Sequence, residues 1–139
     1  MIGSWKGKYK YNVKKNSELY DKEVEFLFKI TEFDGENFTG TVQDNDHDYG
    51  TRGVGTITGK INNNHIEFIK QMPVKTMVSM KGKRTENENK KHPPIYYTGI
   101  STLKGSYSGQ WEIIGNGFVS RLLYLLFGVK GIWEITKIE

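Results

Sequence analysis

The chain of 139 residues contains no cysteine and only three prolines and three histidines. The absence of cysteine excludes a disulfide scaffold, a cysteine-ligated zinc or iron–sulfur site, and a cysteine nucleophile. Long apolar runs are also scarce. The longest, residues 118–129, is interrupted by Ser120 and Arg121, and it is too short to cross a bilayer. These absences predict a soluble domain without a membrane span, a bound metal or a cofactor.

The start of the chain lacks the pattern of a signal peptide, because Trp5 and a series of lysines follow Ile2 closely. A cytoplasmic or undetermined location is therefore expected. A strand that begins almost at Met1 also fits a domain cut from a longer chain.

Positive charge is concentrated in one segment. The formal net charge is +4, and residues 75–91 alone hold six basic and two acidic side chains. A protein that binds DNA or RNA usually presents basic residues from several elements. We therefore expect no nucleic-acid polymer as a partner, although a local anion site near this segment stays open.

Apolar and polar residues alternate with a period of two in eight short runs, as is typical of antiparallel strands. The runs cover residues 3–13, 22–31, 38–42, 53–61, 65–72, 95–101, 105–114 and 131–138. Closure into a barrel hides the edges of strands that each have one apolar face. The predicted fold is an all-β, eight-stranded antiparallel up-and-down barrel, formed by residues 1–139 as a single domain.

One tract departs from this alternation. Residues 117–128 have apolar side chains at helical spacing and glycine at both ends, which predicts one short helix before the last strand. Its apolar side chains are more numerous than one face of a two-turn helix can bury. Exposed apolar patches mark interfaces, so this segment is a predicted lid or homo-oligomer surface. Its central side chains are Val119, Leu122, Leu123 and Leu126.

The first strand contains Gly3-Ser4-Trp5, and the last contains Trp133 and Lys137. This arrangement resembles the calycin superfamily of lipocalins, fatty-acid-binding proteins and avidins, in which an indole closes one end of the barrel beneath a cation. The resemblance implies that Trp5 forms the floor and that a small molecule binds inside. Biotin is not expected, because Gly7 stands where the avidin ligand set has asparagine.

Residues 3–7 and 92–99 also resemble the β-barrel sensor domains of bacterial cyclic-oligonucleotide anti-phage effectors. That similarity implies an alternative, nucleotide-binding function in antiviral defence. Bases would stack on Tyr97, Tyr107 or Trp111. The phosphates would then lie near Lys70 or the basic loop 81–91.

Glycine occupies an inward position in five of the predicted strands, at Gly7, Gly40, Gly59, Gly99 and Gly109. Such glycines allow strands to coil and pack closely, which is the favoured interpretation. The alternative is that they leave a cavity lined by rings. The candidate ligand-binding side chains are the aromatic and basic ones that would line it: Tyr9, Tyr11, Phe28, Lys70, Tyr97, Tyr107 and Trp111.

Lys70 continues the inward register of its strand. It either points a cation into the barrel, where an anion would have to accompany it, or lies at the strand end and reaches water, which is the favoured prediction. Residues 44–48 alternate oxygen ligands like the opening of a calcium loop. Tyr49 and Gly55 stand where that loop needs glycine and glutamate, so a solvated hairpin loop without a metal is expected.

The three histidines are far apart in sequence, and most carboxylates fall at outward positions or in turns. The sequence therefore predicts no catalytic centre. Residues 81–91 are predicted to form a mobile loop. The leading hypothesis is a non-enzymatic binding module that holds a small amphipathic or aromatic ligand inside the barrel. The alternatives are the cyclic-oligonucleotide sensor and an interaction protein that uses residues 119–127.

Overall fold

The computed structural model describes residues 1–12, 15–17, 20–45, 50–78, 84–113 and 129–138. These residues form ten strands and no helix. In chain order they are β1 (Gly3–Tyr11), β2 (Glu23–Phe33), β3 (Asn37–Asp44), β4 (Val54–Asn62), β5 (His65–Gln71), β6 (Lys75–Val78), β7 (Arg84–Asn87), β8 (Ile95–Ser101), β9 (Ser106–Ile113) and β10 (Val129–Lys137). The predicted helix at residues 117–128 lies outside the described residues, as does the interface predicted for Val119, Leu122, Leu123 and Leu126.

Eight of the strands close into a barrel in the order β1-β10-β9-β8-β5-β4-β3-β2. Every neighbouring pair is antiparallel. Neighbours in the barrel follow one another along the chain with two exceptions. The separate pair β6–β7 is inserted between β5 and β8, and the first strand, β1, pairs with the last, β10, to close the barrel. The predicted eight-stranded antiparallel barrel is confirmed, and each of its strands overlaps one of the eight predicted runs.

The barrel forms because each strand has one apolar face. Along β2, exposed Glu23 and Glu25 alternate with buried side chains, as the period of a strand requires. The buried side chains of β2 are Val24, Phe26, Phe28 and Ile30. Burial of such a face supplies most of the driving force for closure.

Tight turns fix the register on one side of the barrel. Between β2 and β3, Oδ1 of Asp34 accepts hydrogen bonds from the backbone N–H groups of Glu36 and Asn37 at 2.9 and 2.6 Å. Gly35 adopts a φ of 102°, which glycine tolerates without strain. Asp34 and Gly35 thus form the tight turn that joins β2 to β3.

The connections make the two ends of the barrel different. Short turns at residues 34–36, 63–64 and 102–105 lie at one end, whereas the longer connections 12–22, 45–53, 72–94 and 114–128 leave from the other. We call the first the Trp5 end, which contains Trp5, Phe28 and Tyr107. We call the second the ion-pair end, which contains Tyr11, Asp44, Lys70 and Trp111.

Rings from neighbouring strands fill the space beside the inward glycines. Gly99 and Gly109 lie opposite each other on β8 and β9, and a Cβ on Gly99 would come within 2.7 Å of the Trp133 ring. A Cβ on Gly7 would likewise come within 2.8 Å of the Phe26 ring. Since rings occupy these positions, the favoured packing role of the glycines is supported.

The segment predicted as a mobile basic loop contains a strand. Residues 84–87 form β7 and pair with β6 in register, Lys75 opposite Asn87 and Val78 opposite Arg84. The loop prediction is wrong for these four residues. All four are polar and none is buried, so the sequence gives no apolar alternation there.

Candidate functional site

The ion-pair end contains a buried lysine and a buried aspartate in direct contact. Nζ of Lys70 donates to Oδ1 of Asp44, and the exposed fractions of the two side chains are 1% and 0%. Lys70 lies on β5 and Asp44 at the end of β3, with β4 between them. The favoured prediction that Lys70 reaches water is wrong, because an inward carboxylate accompanies it. The prediction of a solvated loop fails for Asp44, the part of the tract 44–48 that lies in β3.

The second oxygen of Asp44 accepts three hydrogen bonds. The hydroxyl of Tyr9 and the backbone N–H of Thr51 each donate to Oδ2 at 2.9 Å, and the hydroxyl of Thr51 donates at 3.2 Å. Burial alone would raise the pKa of Asp44, but the charge of Lys70 and these hydrogen bonds lower it overall. The carboxylate is therefore held ionised in an apolar setting.

Aromatic faces enclose the ammonium group. Nζ of Lys70 lies 4.8 Å from the centre of the Tyr9 ring and 5.2 Å from that of Phe26. Both distances allow cation–π attraction, which replaces part of the lost hydration. Burial, together with the charge of Asp44, raises the pKa of the Tyr9 phenol well above its ordinary value, so Tyr9 acts as a neutral donor.

Two further rings continue this cluster toward the longer connections. Tyr9, Tyr11 and Trp111 meet edge to face, with ring centres 5.4 to 6.0 Å apart. Trp111 is buried and Tyr11 is partly buried. The indole of Trp111 donates to the carbonyl of Lys10 at 3.1 Å. Four of the predicted site residues, Tyr9, Tyr11, Lys70 and Trp111, therefore lie together.

The remaining three predicted residues lie elsewhere. Tyr97 stacks on Phe68 in the middle of the barrel, with ring centres 4.6 Å apart. Phe28 stacks on Trp5 at 6.1 Å, and Tyr107 packs against the same indole at 6.0 Å. Phe28 and Tyr107 therefore belong to the floor of the barrel, beside the Trp5 that was predicted to form it. Lys137 is the register partner of Trp5.

His92 connects the barrel to the β6–β7 pair. Its Nδ1 accepts a hydrogen bond from the backbone N–H of Thr76 at 3.2 Å, which requires a neutral ring. Burial, with a further contribution from the charge of Lys70, lowers the pKa of His92 from 6.5 to about 4. The imidazole is thus neutral at physiological pH and can act as a structural acceptor.

Ion pairs also connect β7 with the β3–β4 connection. Arg84 donates to the carbonyl of Gly50 and pairs with Glu86. Arg52 pairs with both Glu86 and Glu88. Lys70, Arg52 and Arg84 therefore each have a carboxylate partner, which lowers their value as phosphate ligands.

Comparison of the chain with protein-family models, with curated proteins and with solved structures finds no match. The resemblance to calycins therefore rests on the closed eight-stranded barrel. Among the described residues, no helix is long and apolar enough to cross a membrane. The same residues contain no group of three or more His, Asp or Glu side chains placed to hold a metal ion.

Three polar residues of this end were not predicted as site residues. Asp44 continues the period-two register of Phe38 and Val42, so extending the third strand by one repeat would have placed it inside. Thr51 and His92 are in connections, where periodicity carries no information about which way a side chain points.

Proposed function

We propose that this protein is a non-enzymatic binding protein that takes a small amphipathic or aromatic ligand at the ion-pair end of its barrel. The observation that supports this most is the Asp44–Lys70 pair covered by the rings of Tyr9 and Phe26, with Tyr11 and Trp111 packed against Tyr9. A few placed polar groups among aromatic side chains are typical of small-molecule sites.

The energetics of the pair support a role beyond stability. Desolvation of two charges costs several kcal/mol per ion, and well-packed apolar side chains often stabilise a core as much as a buried ion pair does. The rest of the barrel interior is built mainly from apolar and aromatic side chains. A polar cluster confined to one end is therefore best explained by a contact that this end makes.

The ligand is proposed to lie against Tyr11 and Trp111, and not deep inside the barrel. The space beside Gly7 and Gly99 is filled by Phe26 and Trp133, and the Trp5 end is closed by stacked rings. A ligand that is apolar on one side would cover the rings, while its polar atoms would face the Asp44 cluster.

Native mass spectrometry of the purified protein tests first for a retained small molecule. The fluorescent probe anilinonaphthalene sulfonate, which is amphipathic and aromatic, then tests the position. Tyr11 and Tyr107 are both partly buried against the core, but at opposite ends. Tyr11→Ala should weaken probe binding about tenfold, the equivalent of one lost aromatic contact, while the matched control Tyr107→Ala should not. Equal losses in both variants, or no binding to the native protein, would reject the proposal.

A further inference from the structure

We infer that Lys70 and Asp44 are a modification site: the amine and the carboxyl condense with each other into an intramolecular isopeptide bond. The inference concerns a covalent reaction of the chain itself, and it does not depend on the proposed ligand. Three features of the ion-pair end carry it: contact of the two reacting groups, exclusion of water, and a set of donors on one carboxyl oxygen.

Contact supplies the proximity that amide formation needs. The ammonium of Lys70 meets Oδ1 of Asp44 directly, and both side chains are buried from solvent. Groups held together in this way react as if at very high concentration, because the entropy of bringing them together has already been lost on folding. An exposed pair such as Lys60–Glu67, joined at 3.2 Å with both side chains more than half exposed, lacks this advantage.

The reaction starts from the ion pair, and the two groups react in their neutral forms. Transfer of one proton from Nζ to Oδ1 converts the ion pair into an amine and a carboxylic acid. Contact between Nζ and Oδ1 lets this proton pass directly between the two groups, without water as a carrier. The rings of Tyr9 and Phe26 cover Nζ at 4.8 and 5.2 Å, which limits the access of water that would reverse the reaction.

The donors on Oδ2 are arranged to stabilise the negative charge that develops. When the amine nitrogen attacks Cγ of Asp44, the C–Oδ2 double bond becomes a single bond to an oxyanion. That oxygen already accepts from the hydroxyl of Tyr9 and the N–H of Thr51 at 2.9 Å, and from the hydroxyl of Thr51 at 3.2 Å. Donors preorganised around a developing oxyanion are an effective means of lowering such a barrier.

The step balances without a further reactant. The nitrogen of the intermediate gives a proton to the hydroxyl formed on Oδ1, the Cγ–Oδ1 bond breaks, and Oδ1 leaves as water. The Cγ–Oδ2 double bond forms again, and an amide joins Nζ to Cγ. Because Lys70 is on β5 and Asp44 on β3, the bond spans β4 and ties two strands that are not neighbours.

Intact mass spectrometry under denaturing conditions tests the inference. The unaltered protein should be lighter than its sequence by one water molecule, and a tryptic peptide that joins the segments around Asp44 and Lys70 should be recovered. Lys70→Arg, which keeps a cation but forms no such amide, should have its full sequence mass. Lys60→Arg should still show the loss. Asp44→Asn should lose ammonia instead of water.

The opposite results are equally clear. Full sequence mass in the unaltered protein overturns the inference. So does a loss of water that persists in Lys70→Arg, because it would then arise elsewhere, for example by dehydration at Asp34-Gly35. Neither result depends on whether a variant folds, since the unaltered protein decides the first and the mapped peptide decides the second.

Discussion

The two ends of the barrel are filled by different kinds of side chain. At the Trp5 end, short turns and stacked rings close the barrel, and the indole of Trp5 donates to a backbone carbonyl at 2.9 Å. At the ion-pair end, a buried lysine and aspartate take the place of part of the apolar core. Stability explains the first arrangement, whereas a buried charge pair adds little to stability over apolar packing.

The interior of the barrel is filled between these two ends. Rings occupy the middle, where Tyr97, Phe68 and Trp133 meet within 4.6 to 5.6 Å. A ligand that needed a deep cavity would have to displace these rings. The ion-pair end brings polar and aromatic side chains together, and the proposed ligand would contact the barrel there.

The largest effect is expected when the pair is broken from one side. Lys70→Met leaves the carboxylate of Asp44 buried without its cation, and removal of one partner of a buried pair costs about 3–5 kcal/mol. Loss of an amide crosslink would add to this. Urea denaturation followed by circular dichroism measures the change. Lys60→Met, in the exposed pair with Glu67, is the control and should leave the unfolding free energy nearly unchanged. If both variants lost a similar, small amount of unfolding free energy, the buried pair would be no more important to stability than the exposed pair.

Acid should weaken the ion-pair end through His92. The pKa of His92 is about 4 in the folded protein, below the ordinary 6.5, because of burial and the charge of Lys70. Between these values the unfolded chain binds a proton that the folded chain does not, so stability falls as pH falls from 6.5 to 4. The loss amounts to about 3 kcal/mol.

Denaturation curves at several pH values measure this effect. His92→Asn keeps a side-chain acceptor but cannot titrate, and it should flatten the pH dependence in that window. His65 is exposed at the Trp5 end, so His65→Asn should leave the dependence intact. Full pH dependence in His92→Asn would show that another group causes the loss of stability.

A smaller effect tests whether the middle of the barrel is filled. A Cβ on Gly99 would lie 2.7 Å from the Trp133 ring and 2.4 Å from the carbonyl oxygen of Ser108. Overpacking of this kind costs about 1–3 kcal/mol, so Gly99→Ala should lower the urea midpoint. Thr98→Ala, at the outward neighbour, controls for general strand effects. Unchanged stability of Gly99→Ala would indicate free space beside Gly99 and would support a deep cavity inside the barrel.

The barrel was predictable because burial and strand period agree along the chain. In β2, exposed Glu23 and Glu25 alternate with buried Val24 and Phe26, so only one face of the strand can point into the barrel. The inward position of Lys70 was also readable from its register. Its burial was not, because the partner Asp44 is 26 positions away in sequence and belongs to a tract that looks like a loop.

The division of the seven candidate residues between the ends was not predictable. Alternation places Tyr11 and Tyr107 on the inner face, but it does not give their level along the barrel axis. That level follows from the closed strand order, in which Tyr11 is paired with Gly131 and Tyr107 with Ile135. Pairing of β1 and β9 with β10 is a long-range property, and a single sequence does not encode it locally.

The three tryptophans of the chain provide the most direct test of where a ligand binds. Trp111 is at the ion-pair end, Trp133 in the middle and Trp5 at the other end, and each indole N–H donates to a backbone carbonyl. The three indole N–H signals can be followed by NMR while anilinonaphthalene sulfonate is added. Because the ligand is proposed to lie against Trp111, we predict that the Trp111 signal shifts most and that the Trp5 signal stays in place. A largest shift at Trp5 or Trp133 would contradict it.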